Sequence, residues 1–380
     1  MTSAIDALRG HYADRTAAAR AHKANGGRVI AYLCDNVPVE LIEAADIFPL
    51  RIHGGSDVSL RPAQRLVDTL YPPDVTQRPD FVGAMLGRLL GGEYDFADAV
   101  IVPHNRNAVQ AIYRELHDAA LEHELQLPEV WYLDRAWSAG VDARAYNHAS
   151  IGDLRQKLEQ LTGSAISDAA IGTSIAAHNQ RRRLVARLAS ARAERGLPGS
   201  LAIDLIGATW SLAAKMANPL LAMALDALDT RFVFEGRRLY LGGSPQDHPA
   251  LYRLVERLGA TIVAEDHCWG NRAADLPIDE TDDTMGALAD RFHRFPACSI
   301  LFPIAEKRAS VLARAQAARV DGAIFFVAAG DTTQAWETPG EVATLRDAGI
   351  PTLHLRRQPY AADSSALEDT LRAFIADLGR

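Results

Sequence analysis

The side chains in this chain that could do chemistry gather in short polar clusters: Cys34-Asp35-Asn36, Arg51 with His53, His104-Asn105-Arg106-Asn107, Gly242-Gly243-Ser244, Glu265-Asp266-His267-Cys268 and Gly330-Asp331-Thr332. Within them His104, Glu265 and Asp266 are of the right type to take up and release protons as general acids and bases. Arg51 and Arg106 are planar two-pronged donors suited to a carboxylate or phosphate. The neighbours His267 and Cys268 have two readings, an imidazole-assisted thiolate or a buried thiol at a strand end. For each residue singly the competing reading is a helix cap or a solvated loop.

Several chemistries are excluded. The glycines of "LGGSP" do not make a G-x-G-x-x-G fingerprint, and no G-x-x-x-x-G-K-[ST] occurs. No nucleophile elbow is present, and His104 with Asp98 and a serine has no spacing that supports a triad. The three cysteines, Cys34, Cys268 and Cys298, form no C-x-x-C pair. That sparse, odd set reads as a reducing compartment and argues against a zinc knuckle. The net charge of −8 runs against nucleic-acid binding. Arg181-Arg182-Arg183, the densest basic run, reads as a solvated helix face. No stretch approaches the ~20 apolar residues of a membrane span. The start of the chain lacks the apolar core of a secretory signal, and Asp6 and Asp14 weigh against a transit peptide, so the expected location is cytoplasmic.

The elements that would position these clusters alternate. Short apolar runs "RVIAYLC", "FPLRIHG", "DAVIVP" and "PEVWYLD" read as strands, separated by helical patterns such as "RPDFVGAMLGRLLGGEYD" and "NAVQAIYRELHDAALEH". Ala7 to Lys23 reads as one opening helix. Residues 147–230 hold long helical patterns without strand signals, and from Arg237 the alternation returns with "RRLYLGG", "ATIVAED", "DGAIFFVAA" and "IPTLHLR". The expected fold class is α/β, with two Rossmann- or flavodoxin-like parallel-sheet domains (1–146 and 231–380) and a helical segment between them (147–230). The two halves show no clean sequence repeat. Ligands of open parallel sheets sit beyond the carboxyl ends of the strands. The polar clusters fall there, so two facing rims would form an interdomain cleft.

On that framework the chain resembles the 2-hydroxyacyl-CoA dehydratase and benzoyl-CoA reductase subunit family. "VIAYLCDNVPVELIEAADIFPLRIHG" matches its N-terminal signature at Cys34, Pro38, Glu40, Leu41, Ile42, Pro49 and Arg51, and "LLGGEYDFADAVIVP" its next block. "GATIVAEDHCWGNR", which contributes Arg272, and "RFPACS", "VDGAIFF" and "AGIPTLHL" follow, so the likeness spans residues 28 to 358. It implies two α/β domains with a helical region and an acyl-CoA ligand. It also implies paired homologous subunits and a [4Fe-4S] cluster on three cysteines, fed single electrons by an ATP-driven activator to form a ketyl radical.

At the three positions where the resemblance places cluster cysteines, this chain has Arg78 (before Pro79), Arg106 (before Asn107) and Gly330 (before Asp331). Asp46 stands where the family has glycine. Arginine does not ligate iron, so no cofactor is expected in this chain and a cluster is expected in a partner subunit. Arg78 and Arg106 either bind an acyl-CoA anion or pair with Asp80, Asp331 or Glu265. The expected substrate-binding set is Cys34, Arg51, Arg78, Arg106, Asn107, Arg272 and Asp331, and the expected acid–base set His104, Glu265 and Asp266. The leading expectation is a supporting or acyl-CoA-binding subunit beside a cluster-bearing homologue, with no nucleic-acid or membrane partner. The alternatives are a stand-alone acyl-CoA lyase or hydrolase without redox chemistry, and a radical enzyme with its cluster relocated to Cys34, Cys268 and Cys298.

Overall fold

The computed structural model describes residues 3–55, 67–71, 78–122, 124–228, 235–294 and 303–379. Cys298 therefore lies outside the described residues. Among the described residues, eight strands form two four-stranded sheets, every pairing parallel. The first holds β1 (Arg28–Tyr32), β2 (Ile47–Arg51), β3 (Ala99–Pro103) and β4 (Glu129–Leu133) in the order β2-β1-β3-β4. The second holds β5 (Arg237–Gly243), β6 (Ala260–Glu265), β7 (Gly322–Ala328) and β8 (Thr352–Gln358) in the order β6-β5-β7-β8. Both sheets thus have the same topology, although the sequence shows no repeat.

The strands read as continuous apolar runs because both faces of each sheet are covered. Val29, Ala31 and Leu33 enter one cluster with the helices Gly199–Thr209 and Ala214–Leu228 and with Leu239, Leu241 and Phe326 of the second sheet. Ile30 and Tyr32, on the opposite face, pack with Ile151, Ile175 and Leu288 from helices Val141–Thr162, Asp168–Arg195 and Thr284–Arg294. Tyr240, Ala323 and Phe325 do the same for the second sheet against Val311 and Val342. The first cluster makes one apolar body of both halves.

The helices differ from expectation in two places, the opening helix and the Arg181–Arg183 face. The opening helix is two, Ala4–Ala13 and Ala17–Ala24. Asp14 leaves helical geometry at φ −117°, ψ 86°, and its carboxylate accepts from Ala17 N at 3.1 Å, so it starts the second helix. Helix Thr332–Asp347 begins before Pro339 and carries it inside, started by Asp331, whose side chain accepts from Gln334 N. Arg181 and Arg182 are buried, which corrects the solvated-face reading; only Arg183 is exposed. Arg182 pairs with buried Glu40, and Arg181 donates to the Thr209 carbonyl at 3.2 Å and stacks on Trp210. Further along the same helix, Arg192 is fully buried against Glu265.

Candidate functional site

In each sheet the strand order reverses between the first strand and its neighbour, β1 beside β3 and β5 beside β7, and such switch points open a crevice at the carboxyl ends. The segments leaving these strands converge on one small cavity of about 40 Å³. Cys34, Asp35, Arg51, Asn105 and Arg106 line it from the first half; Gly243, Asp266, His267, Cys268, Arg272 and Gln334 line it from the second. The volume holds about three waters. Ligand sites measure roughly 300–1,000 Å³, so this one is closed to an acyl thioester as it stands.

Arg106 closes it. Its Nη1 lies 2.9 Å from both carboxylate oxygens of Asp331, across the two halves, with the guanidinium over the Phe81 ring at 5.8 Å. Asp331 accepts further from Ser244 Oγ at 2.7 Å and Gln334 N at 3.2 Å. The loop after β3 is itself fixed: Asn105 Nδ2 donates to Asn36 Oδ1 at 3.0 Å, and Asn36 Nδ2 donates to the His104 carbonyl at 2.9 Å. Arg78 pairs with Glu115, at 2.9 and 3.0 Å, and with none of Asp80, Asp331 and Glu265. Its backbone nonetheless meets Gly330, where a Cβ would lie 2.2 Å from the Arg78 carbonyl oxygen. Residues 78, 106 and 330–331, far apart in sequence, thus come together at one corner.

Arg272 ties the halves at a second point, with Nη2 3.2 Å from Asp35 and Nη1 3.8 Å from Asp266. Burial works to raise the Asp35 carboxyl, but Arg272 and Arg51 outweigh it and hold it below the usual range. Arg51 lies between Trp269 and Trp210, 4.0 and 4.7 Å from the ring centres, and donates to Cys268 O and Sγ at 2.9 and 2.8 Å. Cys34 sits at φ +61°, a costly conformation for a residue with a Cβ, and burial pushes its thiol well up. His267 Nε2 and the Tyr252 hydroxyl share a hydrogen bond at 2.7 Å; burial lowers the imidazole pKa to about 4, so it is neutral at pH 7. Arg51 Nε, Asp266 Oδ1, His267 Nδ1 and Gln334 Oε1 are buried without a hydrogen-bond partner among the described residues, and all four residues line the cavity. So many unsatisfied polar atoms around one small space mark it as a place for water or a polar group.

The expected acid–base residues part company here. Asp266 faces the cavity. Glu265 does not: it is fully buried between Arg192, at 2.6 and 2.8 Å, and Asn271 N at 2.8 Å. Burial tends to raise its carboxyl, and Arg192 reverses that. His104 is also outside the cavity, its Nδ1 2.7 Å from Asp134, whose other oxygen accepts from Tyr146. Asp134 and Tyr146 line a separate groove of about 370 Å³. Asn107 is an exposed first residue of helix Asn107–Glu122 and does not line the cavity.

One residue of this seam carried no sequence signal. Asp247 accepts from Gly54 N at 2.5 Å, from Gly55 N at 3.0 and 3.1 Å, and from the Tyr360 hydroxyl at 2.8 Å, clamping the segment after β2 to the second half. Burial acts to raise it, but Arg15, His248 and His53 hold it far below the usual carboxylate range. In sequence it is one more polar residue in a loop.

Residues 34–377 match the family model described as 2-hydroxyglutaryl-CoA dehydratase, D-component. A benzoyl-CoA reductase subunit of Thauera aromatica is 26% identical over 292 residues, 73% of this chain and 72% of the relative. The beta subunit of the (R)-2-hydroxyglutaryl-CoA dehydratase of Acidaminococcus fermentans is 21% identical over 284 residues, covering 72% and 71%. The Escherichia coli protein YjiM is 23% identical over 367 residues, covering 93% and 92%.

Proposed function

The chain belongs to the 2-hydroxyglutaryl-CoA dehydratase D-component family, and from that premise we propose that it is a supporting, acyl-CoA-binding subunit paired with a cluster-bearing homologue. The observation that carries this reading is the Arg106–Asp331 ion pair, which occupies the corner where the resemblance places cluster cysteines. A [4Fe-4S] cluster in this chain fits the described residues poorly. Cluster iron takes thiolate ligands, and among the described residues Cys34 and Cys268 are the cysteines that line the cavity, the latter engaged by Arg51. No group of three His, Cys, Asp or Glu side chains is disposed to hold a metal among the described residues. The buried guanidinium groups of Arg51 and Arg272 supply fixed positive charge for a thioester carbonyl or carboxylate. The small volume means that the cleft opens, or a partner completes it, before an acyl group enters. The description of two relatives as subunits favours a partner of homologous kind.

The test is purification without oxygen, iron analysis and identification of co-purifying chains. The expected result is a colourless protein without stoichiometric iron, accompanied by a cysteine-complete homologue. About four irons per chain with broad visible absorbance would sink the proposal.

A second reading, redox-free lyase or hydrolase chemistry on an acyl-CoA, is favoured by one observation. Asp266 Oδ1 and His267 Nδ1 both lack a hydrogen-bond partner among the described residues, and both residues line the cavity. Of the three residues expected as acid–base groups, only Asp266 remains in that role. Turnover of a CoA ester by the isolated chain, abolished in Asp266→Asn, would favour this reading.

A further inference from the structure

Arg51 is 2% exposed and lies between two indole rings. A buried guanidinium needs an anion beside it. No carboxylate lies within ion-pair distance of Arg51 among the described residues; its side-chain hydrogen bonds go to the Cys268 carbonyl and to Cys268 Sγ. Tryptophan faces favour a cation but carry no charge to neutralise it. The group in contact with Arg51 that can supply a full negative charge is the Cys268 sulfur. From this counter-ion geometry we infer that Cys268 is a thiolate and the nucleophile of this chain, taking the acyl group of a CoA thioester by thioester exchange.

The surroundings suit that role. The other charged or titratable groups on the cavity are Cys34 and Asp35 after β1, Arg106 after β3, and Asp266, His267 and Arg272 on the segment of Cys268 itself. Arg106 offsets Asp331, Arg272 and, at longer range, Arg51 hold Asp35 ionised, and Asp266 lies 3.8 Å from Arg272. His267, neutral at pH 7 with Nδ1 unpartnered, does not compete with the sulfur for the charge of Arg51. Thiolate, not thiol, is the attacking species, and a neighbouring cation raises its fraction at neutral pH. In the exchange the sulfur attacks the thioester carbonyl carbon, a new C–S bond forms, and the bond to the CoA sulfur breaks. CoA leaves as thiolate and takes a proton from water, and nothing is oxidised or reduced. Neutral His267 and the guanidinium groups of Arg51 and Arg272 line the same cavity as the sulfur. This inference rests on the acyl-CoA reading above and names the atom of the site that would react.

Two measurements test it. Ultraviolet thiolate absorbance at pH 7, wild type minus Cys268→Ser, needs no reagent to enter the cavity. A band equal to one thiolate is expected. It should be unchanged in Cys34→Ser, retained in Arg51→Lys, and lost at pH 7 in Arg51→Gln, returning only at alkaline pH. Absence of the band in the wild type overturns the inference. Benzoyl-CoA is then added to the whole chain, and released CoA thiol and intact mass are followed. One benzoyl group on Cys268 is expected, with at least a tenfold lower rate in Arg51→Gln. Equilibrium binding of benzoyl-CoA without transfer to Cys268 overturns the inference and leaves the acyl-CoA-binding reading standing. Failure to bind at all removes both.

Discussion

Replacing Arg106 by methionine removes its charge but keeps an apolar side chain over Phe81. Asp331, whose side chain is 1% exposed, then loses both contacts to Nη1 at 2.9 Å. Removing one partner of a buried pair costs about 3–5 kcal/mol. Asp331 keeps Ser244 Oγ and Gln334 N, which places the loss near the lower end. The expected cost is about 3 kcal/mol, a factor of roughly 150 in the folding equilibrium. Asp331→Asn leaves Arg106 buried without its carboxylate and should cost a similar amount. With both changes together no charge is stranded, so the double variant should be about as stable as either single one. The assay is urea unfolding, an uncharged denaturant that leaves ion pairs unscreened, read by tryptophan fluorescence and circular dichroism. Single losses that simply add, or a cost of less than about 1 kcal/mol for Arg106→Met, would refute the view that this pair holds the halves together.

Three further outcomes are expected. His267 titrates near pH 4 in the folded chain and near 6.5 when unfolded, so its contribution is complete above pH 6.5 and is lost as pH falls toward 4. The loss should reach about 2 kcal/mol at pH 5, and an unchanged pH slope of the urea midpoint in His267→Gln would count against it. Asp46 is held at φ +57° with its side chain 93% exposed, so Asp46→Gly should stabilise by up to about 1 kcal/mol, read as a higher melting temperature. Gly330→Ala meets both φ +74° and the Arg78 carbonyl, and should cost about 2–3 kcal/mol in the same unfolding assay.

The strands were legible because a sheet covered on both faces writes itself as an apolar run, and the rim was legible because polar residues follow each run. Which rim residue does what was not. Glu265 and Asp266 are adjacent carboxylates, and the two-residue period of a strand sends neighbours to opposite sides. One therefore meets Arg192 and the other the cavity. His104 and Arg106 part for another reason: the chain has left β3 at Pro103 and is turning into the helix that starts at Asn107, so one side chain reaches Asp134 and the other Asp331. The burial of Arg182 was hidden because its partner, Glu40, lies 142 residues earlier, a pairing no local pattern encodes. Asp14 carries no mark in the sequence that separates a residue within a helix from one that divides two. Asp46 is the opposite case: a left-handed backbone accounts for the glycine that the resemblance places there, and aspartate is among the side chains that tolerate it.

Helix Asp168–Arg195 bears Arg182, bound to Glu40, and Arg192, bound to Glu265, about 15 Å apart along its axis. During synthesis this sets an order. Glu40 emerges early and has no buried counter-charge until the chain has been extended past Arg182, and Arg192 in turn waits for Glu265. The first sheet can close on Arg182 before the second is made, but Arg192 has no carboxylate until Glu265 emerges, so cutting the gene between the two sheets should yield fragments that fail singly and recover only when expressed together.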